Sequence, residues 1–211
     1  MSNVGVLKRL GRPVLRALGL RPPAYRRRVR HGEVAMDDVE IHGLVRALRS
    51  ITPAARCLVE IGSYCGGSTV VIARTAARRA PDARVFAIEP FSADGARYQR
   101  NYESLFDANV TDWGVGGTIQ KIKQLSHEAA AGWKRPIDFL YIDGDHSYDA
   151  VVRDIRDFVP FVRPAGVFAF HDYKPGKDGV RRAVDELVAP HHTKLFQAGS
   201  LAVFRKQGGS A

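Results

Sequence analysis

The sequence predicts a single α/β domain built around a mostly parallel β-sheet with helices on both faces. Three observations point to this fold class. Short apolar runs alternate with amphipathic segments of helical spacing along most of the chain. A glycine-rich turn follows the first apolar run, and acidic and histidine residues follow two later ones. The length of 211 residues fits one domain, and 45% hydrophobic and 26% charged residues are ordinary values for a globular protein.

Residues 1–32 are predicted to form a basic arm outside the domain, which we assign to residues 33–211. Apolar residues recur at helical spacing over residues 4–20, and Pro22-Pro23 ends the helix that this spacing predicts. Nine Lys and Arg residues precede Glu33 and supply nearly all of the net charge of +10. Such an arm is expected to bind phosphates, anionic lipid or a second subunit in a homodimer. The alternative is a solvated, partly disordered tail.

The elements of the domain follow in a regular order. Asp37 and Asp38 are predicted to open a helix with apolar residues on one face, and Thr52-Pro53 follows its end. Strands are predicted at Cys57–Ile61, Arg84–Ile88, 118–122, Ile137–Ile142 and 166–170. Helices are predicted at 68–79, 93–105, 126–133, Tyr148–Phe158 and 179–187. Such alternation is typical of parallel strands joined by crossover helices.

Two further segments complete the predicted architecture. The runs 193–197 and Leu201–Arg205 are separated only by Ala198-Gly199-Ser200, so we expect an antiparallel hairpin and a sheet of seven strands. Residues 107–117 are too irregular for an element and too long for a minimal connection. We expect them to form a loop on the substrate side of the sheet.

A glycine-rich turn joins the first strand to the next helix, where open α/β sheets bind their ligands. Gly62 allows a tight turn, and Gly66 and Gly67 allow close approach of a ligand to the backbone. A P-loop would carry Lys where Gly67 precedes Ser68, so ATP hydrolysis is disfavoured. A dinucleotide fingerprint would need a glycine two residues after Gly62, so an NAD enzyme is an alternative and not the first choice.

Glu89 follows the second predicted strand directly. An acidic residue at this position, some 20 residues after the glycine turn, can accept hydrogen bonds from both hydroxyls of a ribose. Its position therefore indicates a ribose-containing cofactor, although a surface carboxylate before Pro90 would look the same.

Acidic and histidine residues follow the fourth and fifth predicted strands. Asp143, Asp145 and His146 come after one strand, and His171 and Asp172 come after the other. Because adjacent parallel strands deliver their carboxyl ends to one edge of a sheet, we expect the two groups to frame one pocket. The alternative is a purely structural role, in which the aspartates form caps or turns and the histidines are hydrogen-bonded core residues.

These motifs resemble those of class I S-adenosylmethionine-dependent methyltransferases. The spacing E-x-G-x-x-x-G from Glu60 resembles their motif I, and the runs D-G-D-H-S-Y, F-H-D-Y and G-V-R-R-A-V-D-E-L resemble the family known as methyltransferase domain 24. That family is kin to metal-dependent small-molecule O-methyltransferases, and the resemblance covers residues 58–187. It implies a Rossmann-like methyltransferase fold with S-adenosylmethionine as cofactor. The cofactor-binding residues that it implies are Glu60, Gly62, Ser63, Tyr64, Gly66, Ser68, Glu89, Ser126 and Asp143.

The resemblance also implies a divalent metal ion held by Asp143, His171 and Asp172. A cation bound to carboxylates lowers the pKa of a substrate hydroxyl, and a nearby imidazole can take the proton. We expect His146 to be the catalytic base, with Asp143 beside it as a second catalytic residue. Oxygen ligands favour Mg²⁺, whereas a histidine ligand would favour manganese or zinc. Ser126 is expected near the adenine of the cofactor, or else as a helix cap.

The function predicted is O-methylation of a small-molecule hydroxyl by a cytoplasmic enzyme. The alternative is an RNA methyltransferase that uses the basic arm, although Asp143-Gly144-Asp145-His146 stands where amino-methylating enzymes carry an Asn/Asp-Pro-Pro-aromatic motif. An NAD-dependent oxidoreductase and a protein without catalytic activity are weaker alternatives. Cys57 and Cys65 are expected to be free thiols, and no apolar run is long enough to span a membrane.

Overall fold

The computed structural model describes residues 36–91 and 102–208, so the predicted arm of residues 1–32 lies outside the described part. The helices are α1 (Asp38–Arg49), α2 (Gly67–Arg79), α3 (Tyr102–Asp112), α4 (Ser126–Ala131), α5 (Tyr148–Phe158) and α6 (Asp178–Leu187). The strands are β1 (Cys57–Ile61), β2 (Arg84–Ile88), β3 (Ile119–Ile122), β4 (Ile137–Ile142), β5 (Val162–Phe170), β6 (Thr193–Ala198) and β7 (Leu201–Arg205). Short 3₁₀ turns lie at Gly116–Thr118 and Val159–Phe161.

The strands form one seven-stranded sheet in the order β3-β2-β1-β4-β5-β7-β6. Strands β1 to β5 are parallel, and β7 runs antiparallel to both β5 and β6. The prediction of a mostly parallel sheet that ends in an antiparallel hairpin is therefore confirmed. The chain reverses its direction of progress between β1 and β4, and this point in an open α/β sheet leaves a crevice at the carboxyl ends of the strands.

The core has two layers because successive residues of a buried strand face opposite sides of the sheet. Leu58 and Phe139 belong to the layer that also contains apolar residues of α1, α2 and α3. Val59 and Leu140 belong to the layer that contains residues of α5 and α6. Helices therefore cover both faces, as the alternating pattern predicted.

Helix α1 begins where the sequence indicated. Asp37 is the N-cap, and its side chain accepts hydrogen bonds from the backbone N–H groups of Val39 and Glu40. Glu40 in return accepts from the Asp37 N–H, which completes a capping box. The helix packs against α2 and against β5, β6 and β7, so Glu40 is carried toward the carboxyl ends of the later strands.

The prediction of a loop at residues 107–117 is wrong for its first half. Helix α3 continues to Asp112, and only the following residues form a turn and a 3₁₀ turn. Phe106, Asn109 and Val110 are buried at helical spacing, and the Asn109 side chain donates to the carbonyl oxygen of Cys65 at 2.8 Å. This contact between a polar side chain and the glycine turn is tertiary, so the local pattern did not indicate it. Most of the helix predicted at 93–105 lies outside the described residues.

Strand β5 begins at Val162, four residues before the predicted start at 166. Val162 pairs with Ile137 of β4, and the Ala165 N–H donates to the carbonyl oxygen of Lys206 at 3.0 Å. Pro164 within this stretch obscured the strand, because proline is uncommon inside sheets. Among residues 36–91 and 102–208, no helix is both long and apolar enough to cross a membrane.

Candidate active site at the carboxyl edge of the sheet

The glycine turn after β1 passes close to the end of β4. Gly62 has a φ of +84° and Gly66 a φ of +79°, and side chains are strained in this region. A Cβ at position 62 would overlap the backbone of Asp143, and one at position 66 would lie 2.8 Å from the Phe106 ring. Both glycines are therefore required by backbone conformation and by space, and the turn adjoins the first residue after β4.

Glu60 lies completely buried on β1, directly below this turn. Thr69 donates a hydrogen bond from its hydroxyl to Oε2 of Glu60, whereas Oε1 has no hydrogen bond of good geometry within the described part of the chain. Burial raises the pKa of Glu60 to about 7, although the hydroxyls of Ser68, Thr69 and Ser63 act in the opposite direction. A buried carboxylate with an available oxygen is suited to a positively charged amino group of a ligand.

Glu89 follows β2 and faces the same turn. Its Oε2 accepts a hydrogen bond from the Tyr64 N–H at 3.0 Å, and its Oε1 accepts from the Tyr102 hydroxyl at 3.3 Å. Burial raises the pKa of Glu89, and these hydrogen bonds oppose the rise. Tyr102 belongs to α3 and was not predicted as a site residue, because nothing in its local sequence distinguishes it from a core tyrosine.

Asp143, His146 and Asp172 lie together at the ends of β4 and β5. One ligand atom from each of them falls within 4.8 Å of the others. His146 Nε2 is 3.2 Å from Asp172 Oδ2 and 3.7 Å from Asp143 Oδ1. Asp145 is exposed and accepts from the Ser147 N–H at 2.8 Å, as a turn residue does. The residues that follow β4 and β5 therefore meet at one edge of the sheet as expected, without Asp145.

His171 lies between two carboxylates. Its Nδ1 is 3.2 Å from Asp143 Oδ1, and its Nε2 is 3.4 Å from Glu40 Oε2. Burial alone would lower the pKa of His171, but the hydrogen bonds and charges of Asp143 and Glu40 raise it to about 10. The ligand role that the resemblance implies for His171 stays a prediction. The group with ligand spacing contains His146 instead.

Glu40 was not predicted as a site residue, because it belongs to α1, far along the chain from the motifs. Its Oε1 accepts hydrogen bonds from the N–H and the hydroxyl of Ser200, and its Oε2 faces His171. Burial would raise the pKa of Glu40, but its hydrogen bonds with His171, Ser200 and Asp37 hold it well below the usual value. Glu40 therefore links α1 to the cluster through His171.

Asp143 is fixed from β4 as well. The buried Tyr141 hydroxyl donates to Asp143 Oδ2 at 3.0 Å, and burial together with the charge of Asp143 raises the pKa of Tyr141. Burial would raise the pKa of Asp143, but hydrogen bonds from His146, His171 and Tyr141 and the charge of His171 lower it. The carboxylate is therefore ionised and held in one orientation.

Two lysines complete the cluster, and neither was predicted. Lys174 Nζ is 2.9 Å from Asp172 Oδ1, and Lys177 Nζ is 3.9 Å from Asp172 Oδ2. Lys177 Nζ also lies 3.1 Å from His146 Nδ1. Both lysines follow the F-H-D-Y run on the loop before α6, where charged residues are common on any surface loop.

Ser126, predicted near the adenine, is the first residue of α4 and is half-buried. The N-cap of α4 is Leu125, so Ser126 does not cap that helix, and its hydroxyl is hydrogen-bonded to Asp154 of α5. Burial raises the pKa of Asp154 to about 6, while the hydrogen bond from Ser126 lowers it. A Cβ at Gly144 would lie 3.6 Å from Asp154 Oδ2, so this carboxyl lies beneath the loop that follows β4.

A family model described as a methyltransferase domain matches residues 59–173, more than half of the chain. Among curated proteins, an uncharacterised protein of Acanthamoeba polyphaga mimivirus is 27% identical over 155 residues. That alignment covers 70% of this chain and 63% of the viral protein, so the chain spans less than two thirds of the length of that relative.

Solved structures share the fold. A candidate O-methyltransferase from Klebsiella pneumoniae has a TM-score of 0.70 at 17% identity, with 94% of this chain and 96% of that chain covered. An O-methyltransferase from Bacillus cereus in complex with S-adenosylhomocysteine has a TM-score of 0.68 at 17% identity, with 93% and 97% covered. An rRNA methylase from Streptococcus thermophilus has a TM-score of 0.61 at 16% identity, with 82% and 100% covered. Together with the family match, the shared fold shows that the chain belongs to the class I S-adenosylmethionine-dependent methyltransferase family.

Proposed function

We propose that this protein transfers the methyl group of S-adenosylmethionine to a hydroxyl oxygen of a small molecule. The observation that carries the proposal is the cluster of Asp143, His146 and Asp172, which adjoins the glycine turn at one edge of the sheet. In the reaction, the acceptor oxygen forms a bond to the methyl carbon and the carbon–sulfur bond breaks. The hydroxyl proton must pass to a base, and the cluster offers an imidazole for it. The similar structures from Klebsiella pneumoniae and Bacillus cereus are described as O-methyltransferases, which supports this reaction class.

The cofactor would be held along the carboxyl ends of β1 and β2, and the residues present there fit it. Glu60 offers an available buried oxygen for the amino group, while Gly62 and Gly66 leave space that a Cβ would fill. Glu89 would accept hydrogen bonds from the ribose hydroxyls in place of its present bond from Tyr102. The remaining predicted contacts are Ser63, Tyr64, Ser68, Ser126 and Asp143, and their contact with the cofactor is part of the proposal.

His146 is the base in this proposal. Its Nε2 faces Asp143 and Asp172, which would stabilise the imidazolium formed when Nδ1 takes up the proton, once the Lys177 ammonium has left Nδ1. Tyr141 and His171 hold Asp143, and Lys174 holds Asp172, so the two carboxylates are oriented before the substrate arrives. Such fixed groups lower the reorganisation needed during the reaction.

A divalent cation is the second part of the proposal. Two carboxylates and one imidazole within 4.8 Å match the ligands that such ions take, so Asp143 and Asp172 would hold it, with His146 beside them. When bound, the ion would supply positive charge that acidifies the acceptor hydroxyl. His171 stays an ion-pair partner of Asp143 and Glu40 in this proposal. The oxygen ligands favour Mg²⁺.

RNA methylation is the second candidate function, because the arm carries the excess positive charge and one neighbour of the same fold is described as an rRNA methylase. At 16% identity that neighbour shares the fold alone. Binding through the arm would weaken steeply as salt is raised, since each neutralised phosphate releases counterions. A filter-binding titration at two salt concentrations separates this candidate from the first.

Methyl transfer from isotope-labelled S-adenosylmethionine tests the proposal directly. The full chain is incubated with Mg²⁺ and with a catechol, a caffeoyl thioester, a nucleoside-diphosphate sugar or an RNA oligonucleotide, and products are analysed by mass spectrometry. We expect label on the hydroxyl of a small acceptor, loss of transfer in Asp143→Asn and retention in Asp145→Asn. Label on RNA alone would contradict the proposal in favour of the second candidate.

A further inference from the structure

The acceptor site contains an ammonium group that the proposed reaction does not use. We propose that Lys177 is the resident cation of the Asp143–Asp172 cluster and that it competes with a divalent metal ion for these carboxylates. This inference rests on the proposed function, because it concerns the cation that would assist the reaction. It predicts that metal binding requires displacement of the Lys177 side chain.

The Lys177 ammonium lies beside the candidate metal ligands. Its Nζ lies 3.1 Å from His146 Nδ1 and 3.9 Å from Asp172 Oδ2, so it contacts two of the three residues with ligand spacing. A divalent ion bound to Asp172 and His146 would lie within a few ångströms of this ammonium. Like charges at such separations repel strongly, because little solvent lies between them to screen the interaction. The two cations therefore exclude one another.

Asp172 already has two ammonium partners. Lys174 Nζ is 2.9 Å from its Oδ1, and Lys177 Nζ is 3.9 Å from its Oδ2. A metal ion bound to Asp172 would share this carboxylate with two positive charges at short range. The affinity of Asp172 for the metal ion is therefore expected to rise when one of these charges is removed.

The contact with Lys177 also determines which ring nitrogen of His146 carries the proton. An ammonium is only a donor, so Nδ1 of His146 must accept from Lys177 and the ring proton must lie on Nε2. Nε2 is also the atom that faces Asp143 and Asp172. To bind a metal through Nε2, the ring would have to carry its proton on Nδ1, where it would oppose the ammonium. Lys177 therefore disfavours the tautomer in which His146 could join Asp143 and Asp172 as a ligand.

The loop that carries Lys177 allows the side chain to leave. The Lys177 side chain is 33% exposed, and Gly176 before it has a φ of +81° and open space where a Cβ would point. Removal of the ammonium from the cluster thus needs a side-chain movement toward solvent and no change in β5 or α6. The same carboxylates can then receive a metal ion.

The test measures Mn²⁺ binding to the full chain by electron paramagnetic resonance of the free ion, in the presence of S-adenosylhomocysteine. Lys177→Met removes the charge without adding a metal ligand, and Lys177→Arg keeps the charge. Lys134→Met is the matched control, because Lys134 is exposed before β4, at the opposite edge of the sheet. We expect Lys177→Met to bind Mn²⁺ at least about tenfold more tightly than the wild type, which corresponds to about 1.4 kcal/mol.

The controls make the outcomes distinct. Lys177→Arg and Lys134→Met are expected to bind Mn²⁺ as weakly as the wild type. If the wild type binds Mn²⁺ and Lys177→Met binds it equally or more weakly, the proposed competition is overturned. The proposed metal site would still stand in that case. Absence of binding in every variant would overturn both the competition and the metal site, while binding of S-adenosylhomocysteine in the same samples would keep the methyltransferase proposal.

The tautomer of His146 gives a second, independent readout. Long-range ¹H–¹⁵N correlation spectra of the wild type are expected to show the proton of the neutral ring on Nε2. In Lys177→Met this preference is expected to weaken, because Nδ1 loses its donor. A wild-type ring with its proton on Nδ1 would contradict the contact on which the proposal is built.

Discussion

Asp143 receives hydrogen bonds or ion-pair contacts from Tyr141 on β4, from His146 in the loop between β4 and α5, and from His171 directly after β5. Glu40 extends this chain of contacts to α1. The residue types near the ends of β4 and β5 could be predicted, because parallel strands deliver their carboxyl ends to one edge. The partners could not be predicted, because which nitrogen of His171 faces which carboxylate depends on how α1 packs against the sheet.

Glu40→Gln tests the contact between α1 and the site. The substitution leaves the buried His171 imidazolium with one carboxylate partner fewer, so we expect a loss of about 3 kcal/mol in the free energy of unfolding near neutral pH. Asp149→Asn on α5 is the control, because that carboxylate is exposed and its loss is expected to cost about 0.5 kcal/mol or less. Urea denaturation measures both, and equal small losses would show that the Glu40 pair behaves like a surface pair.

Gly62→Ala tests the close approach of the glycine turn to the end of β4. A Cβ at this position would overlap the Asp143 backbone, and the φ of +84° is unfavourable for alanine. We expect a loss of at least about 2 kcal/mol in the free energy of unfolding. Gly132→Ala is the matched control, since a Cβ there meets no atom within 4 Å and its φ is −100°. A well-tolerated Gly62→Ala variant would contradict the described turn.

At the scale of elements, α4 and α5 are joined by a buried contact between Ser126 and Asp154. Both ends of β4 and the start of α5 agree with the sequence pattern, because a run of apolar residues followed by charged turn residues is a strong local signal. The predicted end of α3 was wrong. The buried side of that helix includes the polar residue Asn109, whose side chain donates to the Cys65 carbonyl oxygen in the glycine turn. Helices fixed by such distant polar contacts have a weak periodic pattern.

Asp154→Asn tests the burial of this carboxyl through the pH dependence of stability. Burial raises the folded-state pKa from 3.8 to about 6, so between these values the unfolded chain releases its proton while the folded protein keeps it. Stability of the wild type therefore falls, through this group, as pH rises from about 4 to about 6, and stays constant above. Across this window, the free energy of unfolding of Asp154→Asn should rise relative to that of the wild type by on the order of 2 kcal/mol.

Urea denaturation of both proteins at a series of pH values measures this difference. Asp112→Asn, which removes an exposed carboxylate at the end of α3, is the control and should leave the pH dependence of stability unchanged. A constant difference between Asp154→Asn and wild type from acid to neutral pH would show that Asp154 has the same proton affinity in both states.

At the scale of the whole molecule, the fold class, the order of strands and helices, and the antiparallel end of the sheet could be predicted from local patterns and from the rules for parallel connections. The glycine turn after β1 could be predicted, because glycines that must adopt positive φ leave a visible spacing. The two lysines could not be predicted as partners of Asp172 and His146, because that pairing depends on the path of the loop before α6. A homodimer formed through the basic arm and a cytoplasmic location stay predictions.

Calorimetric titration of the full chain with S-adenosylhomocysteine tests the central claim most directly. We expect the wild type to bind and Glu89→Ala to bind about a hundredfold more weakly, because two hydrogen bonds from the ribose to a carboxylate are lost. Glu186→Ala, which removes an exposed carboxylate of α6, should bind like the wild type. Failure of the wild type to bind, or equal binding by Glu89→Ala, would contradict the assigned cofactor site, and binding of a nicotinamide cofactor instead would favour an oxidoreductase.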